Sequence, residues 1–242
     1  MIPKVSLQGV ARALAVGAGV AAGTYATYAG IAWFRYGRAR MPRPDERDEL
    51  LDRFMPAYDV VERHQIHVAA PAAVTLAAAK EQDLLESGLT RAIFKAREVF
   101  LRAAPAASEP PRGLLEATQA MGWGVLADVA GKEIVMGAVT RPWEPNVAFR
   151  ALPPDEFASF CEPGFVKIAW TLRADDAADG TSVFRTETRA VATDAAARYL
   201  FRRYWAFVSP GIAAIRALSL RPVRRAAEDR ASRAPVAVGA RT

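Results

Sequence analysis

Few side chains of this chain are suited to chemistry. The two histidines, His64 and His67, fall three residues apart on a predicted strand and therefore point to opposite faces, whereas two ligands of one metal ion need a shared face. We expect strand histidines and no zinc site. Cys161, the single cysteine, has no base beside it in the sequence, so we expect a small buried hydrophobe; a nucleophile would need a distant histidine close in space.

A group of aspartates, Asp175, Asp176 and Asp179, superficially resembles a calcium loop. These residues lack the alternating oxygen ligands and the distal glutamate of an EF-hand, so a solvated turn is the better interpretation. The sequence therefore predicts no catalytic residue, no metal site and no cofactor.

A strand predicted over residues 182–191 alternates between a charged face and a less polar one. The charged face consists of Arg185, Glu187 and Arg189. If this face were buried, it could bind a ligand carboxylate or phosphate. Because Phe184 and Thr186 on the opposite face are more compatible with an interior, we expect the charged face to lie in solvent.

The distribution of charge argues against nucleic-acid binding. The chain has 242 residues and a net charge of +6, but residues 1–47 and 216–242 each carry seven basic and two acidic side chains. The segment between them is slightly acidic, whereas a nucleic-acid binder carries a basic patch on its folded body. With 52% hydrophobic residues, the middle of the chain can bury one good core.

The segment 13–34 carries no charged residue and predicts a transmembrane helix. As a helix it would span about 33 Å, enough for a hydrocarbon core of about 30 Å. Trp33 and Phe34 lie at its C-terminal end, where interfacial aromatic residues are expected. The alternatives are a cleaved signal peptide, against which the segment lacks a clean cleavage site, and a buried core helix.

Five arginines follow this segment and fewer bases precede it, which favours a cytoplasmic location for the C-terminal side of a single-pass membrane protein. Gly19 and Gly23 form a GxxxG pattern through which two such helices could pair as a homodimer. The predicted organisation is a short basic N-terminus at 1–12, a transmembrane helix at 13–34, a basic, proline-containing linker at 35–57, a folded domain at 58–228 and a disordered basic tail at 229–242.

The folded domain predicts an α+β fold. A first strand at 60–68 precedes two helices, one ending near Lys80 and one at 84–102, and a loop at 103–113. Antiparallel strands are then predicted at 124–129, 133–140, 165–174 and 182–191, with further short strands at 146–151 and 156–161.

A long amphipathic segment, residues 193–228, closes the chain. Its bulky residues Phe201, Tyr204 and Trp205 recur at helical spacing and therefore share one face of a helix. This apolar face must pack against a broad surface. Ser209, Pro210 and Gly211 predict a break there, with a second helix beyond it. The predicted architecture is an antiparallel sheet gripped by a long C-terminal helix.

This order of elements resembles the helix-grip fold of the START-like (SRPBCC) superfamily. The local resemblance lies in the sequence HVAAPAAV at 67–74, at the first strand–helix junction, and in the terminal helix through Tyr204 and Trp205. The resemblance covers residues 59–228. It implies a cavity between the sheet and the terminal helix for an apolar or amphipathic ligand, in a family that includes both carriers and enzymes of polyketide-cyclase type.

We therefore expect a membrane-tethered, non-catalytic domain that binds a hydrophobic ligand, a lipid of the adjacent membrane being the leading choice. The alternatives are a polyketide-cyclase-like enzyme and an anchored structural or interaction domain without a ligand. The basic tail could lie on anionic headgroups. The candidate cavity residues are Trp123, Trp170, Phe184, Thr186, Phe201, Tyr204 and Trp205.

Overall fold

Six strands form one antiparallel sheet, within a computed structural model that describes residues 7–82 and 113–233. The strands are β1 (Val60–Val68), β2 (Gly124–Val129), β3 (Glu133–Thr140), β4 (Phe149–Arg150), β5 (Val166–Asp176) and β6 (Ser182–Ala192). Their order is β1-β6-β5-β3-β2, and β4 pairs with β3. The predicted α+β class and the predicted long antiparallel strands are confirmed.

Six helices accompany the sheet among the described residues. They are α1 (Leu7–Arg35), α2 (Glu49–Phe54), α3 (Ala72–Glu81), α4 (Leu114–Ala120), α5 (Pro154–Ser159) and α6 (Ala195–Arg233). The helix predicted at 84–102 lies outside the described residues. The short strand predicted at 156–161 is wrong: Pro154 and the acidic residues Asp155 and Glu156 occupy the first turn of a helix, where each of them is favourable.

The C-terminal helix α6 is continuous over 39 residues and contains Pro210 and Pro222. The predicted break at 209–211 is therefore wrong, because packing of the helix on the sheet before and after this point outweighs the local breaking signal. Asp194 begins the helix, accepting hydrogen bonds from the backbone N–H groups of Ala196 at 2.7 Å and Ala197 at 2.9 Å. The predicted gripping C-terminal helix is present.

Helices α3 and α6 cover one face of the sheet. Phe201 and Trp205 of α6 pack against Val60, Val166 and Ala190 at one end. At the other end, Leu220 and Val223 of α6 join α3 and the inward residues of β3 and β5 in a second cluster. This face is the one that the bulky stripe of α6 predicts.

The opposite face of the sheet is also covered, by α2 and α5. Leu51 of α2 and Met55, which follows the helix, are 0% and 1% exposed and pack with Phe157 of α5 against Val135 and Val139. Asp48 begins α2 by accepting a hydrogen bond from the N–H of Leu51 at 2.8 Å. The segment 35–57, predicted as a linker, thus supplies core residues.

Helix α1 occupies the segment 13–34 that was predicted to cross a membrane. Among the described residues, no helix combines the length and the apolar character that a membrane span requires, so a transmembrane α1 is not confirmed. Its last turns pack on α6: Arg202 donates to the carbonyl of Trp33 at 3.1 Å and lies 4.2 Å from the ring of that residue. Ala32 and Tyr36 are buried in the same contact.

The packing of α6 on the sheet gives a stability prediction. Phe201→Ala removes a fully buried ring and should lower the free energy of unfolding by about 3–5 kcal/mol. Tyr199→Ala, two positions away and 58% exposed, should change it by about 0.5 kcal/mol or less. Urea unfolding followed by circular dichroism measures both. Equal losses in the two variants would contradict the packing described for α6.

Candidate functional site

A polar cluster interrupts the apolar face of the sheet beneath α6. On β1, Glu62 and His64 lie between the buried residues Val60 and Val68 on the same face. On the neighbouring strand β6, Thr188 stands opposite Glu62 and Thr186 stands opposite His64. Four polar side chains therefore meet under a helix that otherwise contributes apolar packing.

Helix α6 adds a cation to this cluster. The Nη1 of Arg216 donates to the Oγ1 of Thr186 at 2.8 Å, and its guanidinium lies 5.6 Å from the centroid of the Trp170 ring. Burial lowers the pKa of Arg216 to about 10, an effect that the nearby Glu62 partly offsets. Arg216 therefore stays positively charged at neutral pH.

The two titratable residues of β1 shift in opposite directions. Burial raises the pKa of Glu62, with Arg216 acting against this change. Burial, together with the charge of Arg216, lowers the pKa of His64. Both shifts favour the uncharged form. The Nε2 of His64 lies 3.7 Å from the Oε2 of Glu62, which is too long for a hydrogen bond.

Two atoms of the cluster are buried without a hydrogen-bond partner in the part of the chain that the structure describes. These are the Nε2 of His64 and the Oγ1 of Thr188. A buried polar atom left without a partner costs about 1–3 kcal/mol, and native proteins keep few of them. The cluster thus combines the cation of Arg216 with the imidazole of His64 and the hydroxyls of Thr186 and Thr188. Such a set of groups can bind an anionic or carbonyl oxygen of a ligand.

The candidate residues named from the sequence divide into two groups. Trp170 and Thr186 contact Arg216, and Phe184 lies with Trp170 in one buried cluster. Trp123 packs edge-on against Trp170 with ring centroids 6.2 Å apart. The second group consists of Phe201, Tyr204 and Trp205, which pack mainly on one another and on the other end of the sheet.

Sequence reasoning missed Glu62, His64 and Arg216. A usable signal was present on β1, because Val60, Ile66 and Val68 share one face and the two residues at the intervening positions of that face are Glu62 and His64. A charged residue and a histidine at alternate positions of an otherwise apolar face mark a buried polar site. Nothing local in the sequence pairs them with Arg216, which lies more than 150 residues further along the chain.

Two other expectations need correction. Glu187 and Arg189 do not face solvent, since they are 5% and 1% exposed on the face opposite α6, where α2 covers them. Cys161 is exposed rather than buried. Within residues 7–82 and 113–233, no group of three or more His, Cys, Asp and Glu residues is placed to hold a metal ion.

Comparisons with known proteins add little. No family model matches the chain, and no curated protein matches it. A solved structure of a hypothetical protein from Helicobacter pylori aligns over 77% of this chain and 95% of its own, with 5% sequence identity and a TM-score of 0.37. A similarity this low carries no argument about fold or function.

The shifted pKa of His64 gives a pH prediction. The unfolded chain takes up a proton at His64 as the pH falls through its ordinary pKa of 6.5, but the folded chain does so only at lower pH. The stability contributed by the neutral, buried imidazole is therefore fully present above pH 6.5 and is lost as the pH falls through the folded pKa. In His64→Gln this loss should disappear. Urea unfolding of both proteins at several pH values between about 5 and 8 measures this loss of stability. If the difference in free energy of unfolding between them does not change with pH, the lowered pKa of His64 is wrong.

Proposed function

We propose that the protein binds an amphipathic ligand between the sheet and α6, with the anionic headgroup of the ligand held by Arg216. The observation that carries this proposal is the polar cluster beneath α6, where Arg216 converges with His64 and Thr188 and two buried polar atoms have no partner among the described residues. An oxygen-rich headgroup would satisfy both.

An anionic headgroup fits this cluster better than a neutral one. Glu62 acts on the pKa of Arg216, but no carboxylate among the described residues lies within ion-pair distance of its guanidinium, so Arg216 has no direct counter-ion. Removing a cation from water costs several kcal/mol unless a counter-charge accompanies it. A ligand carboxylate or phosphate would provide that charge in bidentate geometry.

The surrounding elements suit an apolar tail and an entry route. Trp170 and Phe184 supply an apolar wall beside Arg216. Pro210 and Pro222 lie on either side of Arg216 in α6, and each lacks the N–H that would hydrogen-bond to the preceding turn. The part of α6 that carries Arg216 is therefore bounded by two weakened turns at which it can hinge away from the sheet.

The order of elements supports the same proposal through its resemblance to the START-like superfamily, whose ligands lie between the sheet and the terminal helix. We extend the proposal to the source of the ligand, a membrane lipid. The apolar side chains of α1 that project into solvent, among them Val16, Val20 and Phe34, are suited to contact with a bilayer. The folded domain would then lie on the cytoplasmic side.

A second candidate is catalysis of polyketide-cyclase type on a carbonyl substrate. The observation that favours it is the convergence of an acid with a raised pKa, Glu62, and a histidine with a lowered pKa, His64, beside the partly buried cation Arg216. Under this reading Arg216 would polarise a carbonyl oxygen. An enzyme should lose turnover in Glu62→Gln while its ligand affinity changes little, whereas a carrier has no turnover to lose.

The binding proposal predicts a preference for an anionic headgroup that depends on one side chain. The full chain should bind oleate at least about tenfold more tightly than oleyl alcohol, which has the same tail without the charge, since one charge-assisted hydrogen bond contributes about 1.5–3 kcal/mol. Arg216→Gln should remove this preference. Arg221→Gln, an exposed arginine one turn further along α6, is the matched control and should retain it.

Isothermal titration calorimetry measures these affinities, and circular dichroism verifies that each variant is folded. The proposal would be overturned if the wild-type protein bound neither compound. It would also be overturned if the wild type and Arg216→Gln showed the same relative affinity for the two compounds. Equal binding of both compounds by wild type would indicate non-specific apolar contact instead.

A further inference from the structure

A second recess opens on the face of the sheet opposite α6. The segment 36–59, called the strap here, crosses this face and leaves a cavity of about 220 Å³ between itself and strands β1, β6 and β5. The arginines that line the cavity are Arg40, Arg43, Arg63, Arg173 and Arg185. The carboxylates that line it are Glu46, Asp48 and Glu187.

The arginines that line the recess outnumber the carboxylates that line it. In the strap, Arg40 and Arg43 both bind Glu46, each with a nitrogen–oxygen distance of 2.8 Å. Across the sheet, Arg173 and Arg185 stand directly opposite each other and both bind Asp175. Arg43 also lies 3.9 Å from Asp45, so the strap wall is balanced, whereas the sheet wall holds two arginines on one carboxylate.

The other charged side chains that line the recess are Arg63, Glu187 and Asp48. Arg63 and Glu187 form a bidentate pair with both distances at 2.9 Å, which is balanced. Asp48 lines the floor, but its buried neighbour Glu133 contributes no negative charge at neutral pH, because burial and Asp48 raise the pKa of Glu133 to about 9. Among the residues that line the recess, five arginines therefore face three carboxylates.

Donor groups remain on the two arginines of the sheet wall. Arg173 uses its Nε on Asp175 and its Nη1 on the carbonyl of Arg47, and Arg185 uses its Nε on Gln65 and its Nη1 on Asp175. The Nη2 atoms of both residues have no hydrogen-bond partner among residues 7–82 and 113–233. Asp175 already bridges the two guanidinium groups, so these Nη2 groups are the donors that remain for a further anion.

We propose that this recess binds a phosphate group, as the dianion of a small phosphate monoester, between Arg173 and Arg185 on the sheet and Arg40 and Arg43 on the strap. Planar guanidinium groups bind phosphate oxygens bidentately, and several of them around one recess are the usual means of recognising a dianion. The cavity exceeds the volume of one phosphate, so it leaves room for a small organic group. This site lies on the other face of the sheet from Arg216 and does not depend on the function proposed above.

The phosphate could belong to a soluble monoester or to a lipid headgroup. The side chains of Arg63, Arg173 and Arg185 are only 10–21% exposed, so the recess is deep, and we place a soluble monoester in it. A headgroup in a flat bilayer would have to leave the surface to reach these residues.

The test is a titration of the full chain with phenyl phosphate in a chloride buffer that contains no phosphate, followed by calorimetry and by ³¹P NMR. Wild type should bind, and Arg185→Gln should weaken binding at least about tenfold, the effect expected for one lost charge-assisted contact. Arg40→Gln, at a strap residue whose side chain is 60% exposed, should also weaken binding and keeps the test valid if Arg185→Gln fails to fold. Arg53→Gln, an exposed arginine of α2 outside the recess, is the matched control and should bind as wild type does.

Vesicles that contain phosphatidic acid form the second arm. Binding of these vesicles through Arg185 without binding of phenyl phosphate would overturn the soluble monoester in favour of a lipid headgroup. No binding of phenyl phosphate up to about 10 mM, beyond the weak end of the usual affinity scale, or equal affinity in all three variants, would overturn the site itself. Arg216→Gln should leave phosphate binding unchanged, so this proposal and the proposed function can fail separately.

Discussion

The structure depends on a guanidinium buried in the middle of the sheet. Arg189 of β6 is almost completely shielded from solvent and is held by Glu187 at 2.6 Å, by Asp52 at 2.5 Å and by the carbonyl of Met55 at 2.7 Å. Without these partners its burial would cost several kcal/mol. Two of the three come from the strap, so this one cation requires the strap to lie on the sheet. That requirement places α2 in the core and puts a roof over the arginine-lined recess.

A second arginine, Arg216 of α6, lies partly buried against the other face, and its surroundings differ. Arg189 is balanced by the carboxylates of Glu187 and Asp52, which is the expected condition of a structural ion pair. Arg216 donates to Thr186, and beside it the His64 and Thr188 atoms lack partners in the described chain. The same residue type therefore stabilises the fold on one face and, on our proposal, holds a ligand on the other.

The sequence predicts the strands well, because the alternation of side chains along β5 and β6 separates the two faces of the sheet. It fails for the strap, where prolines and mixed charges resemble a linker although Leu51 and Met55 are core residues. It also fails for Glu187 and Arg189, since a charged strand face looks the same whether water or a carboxylate from a distant segment satisfies it. Pro210 is a strong local signal for a helix break that tertiary packing overrides. These failures have one cause: each depends on which distant segment covers a given face.

Native mass spectrometry of the full chain, followed by extraction with organic solvent, tests the central claim most directly. The claim is that the cluster beneath α6 is a ligand site. We expect a reproducible mass increment on the purified protein and an anionic amphipathic molecule in the extract. A mass equal to that of the chain alone, unchanged after incubation with mixed lipids, would contradict the claim. The unpartnered polar atoms beneath α6 would then destabilise the fold without binding a ligand. The protein would be a structural or interaction domain.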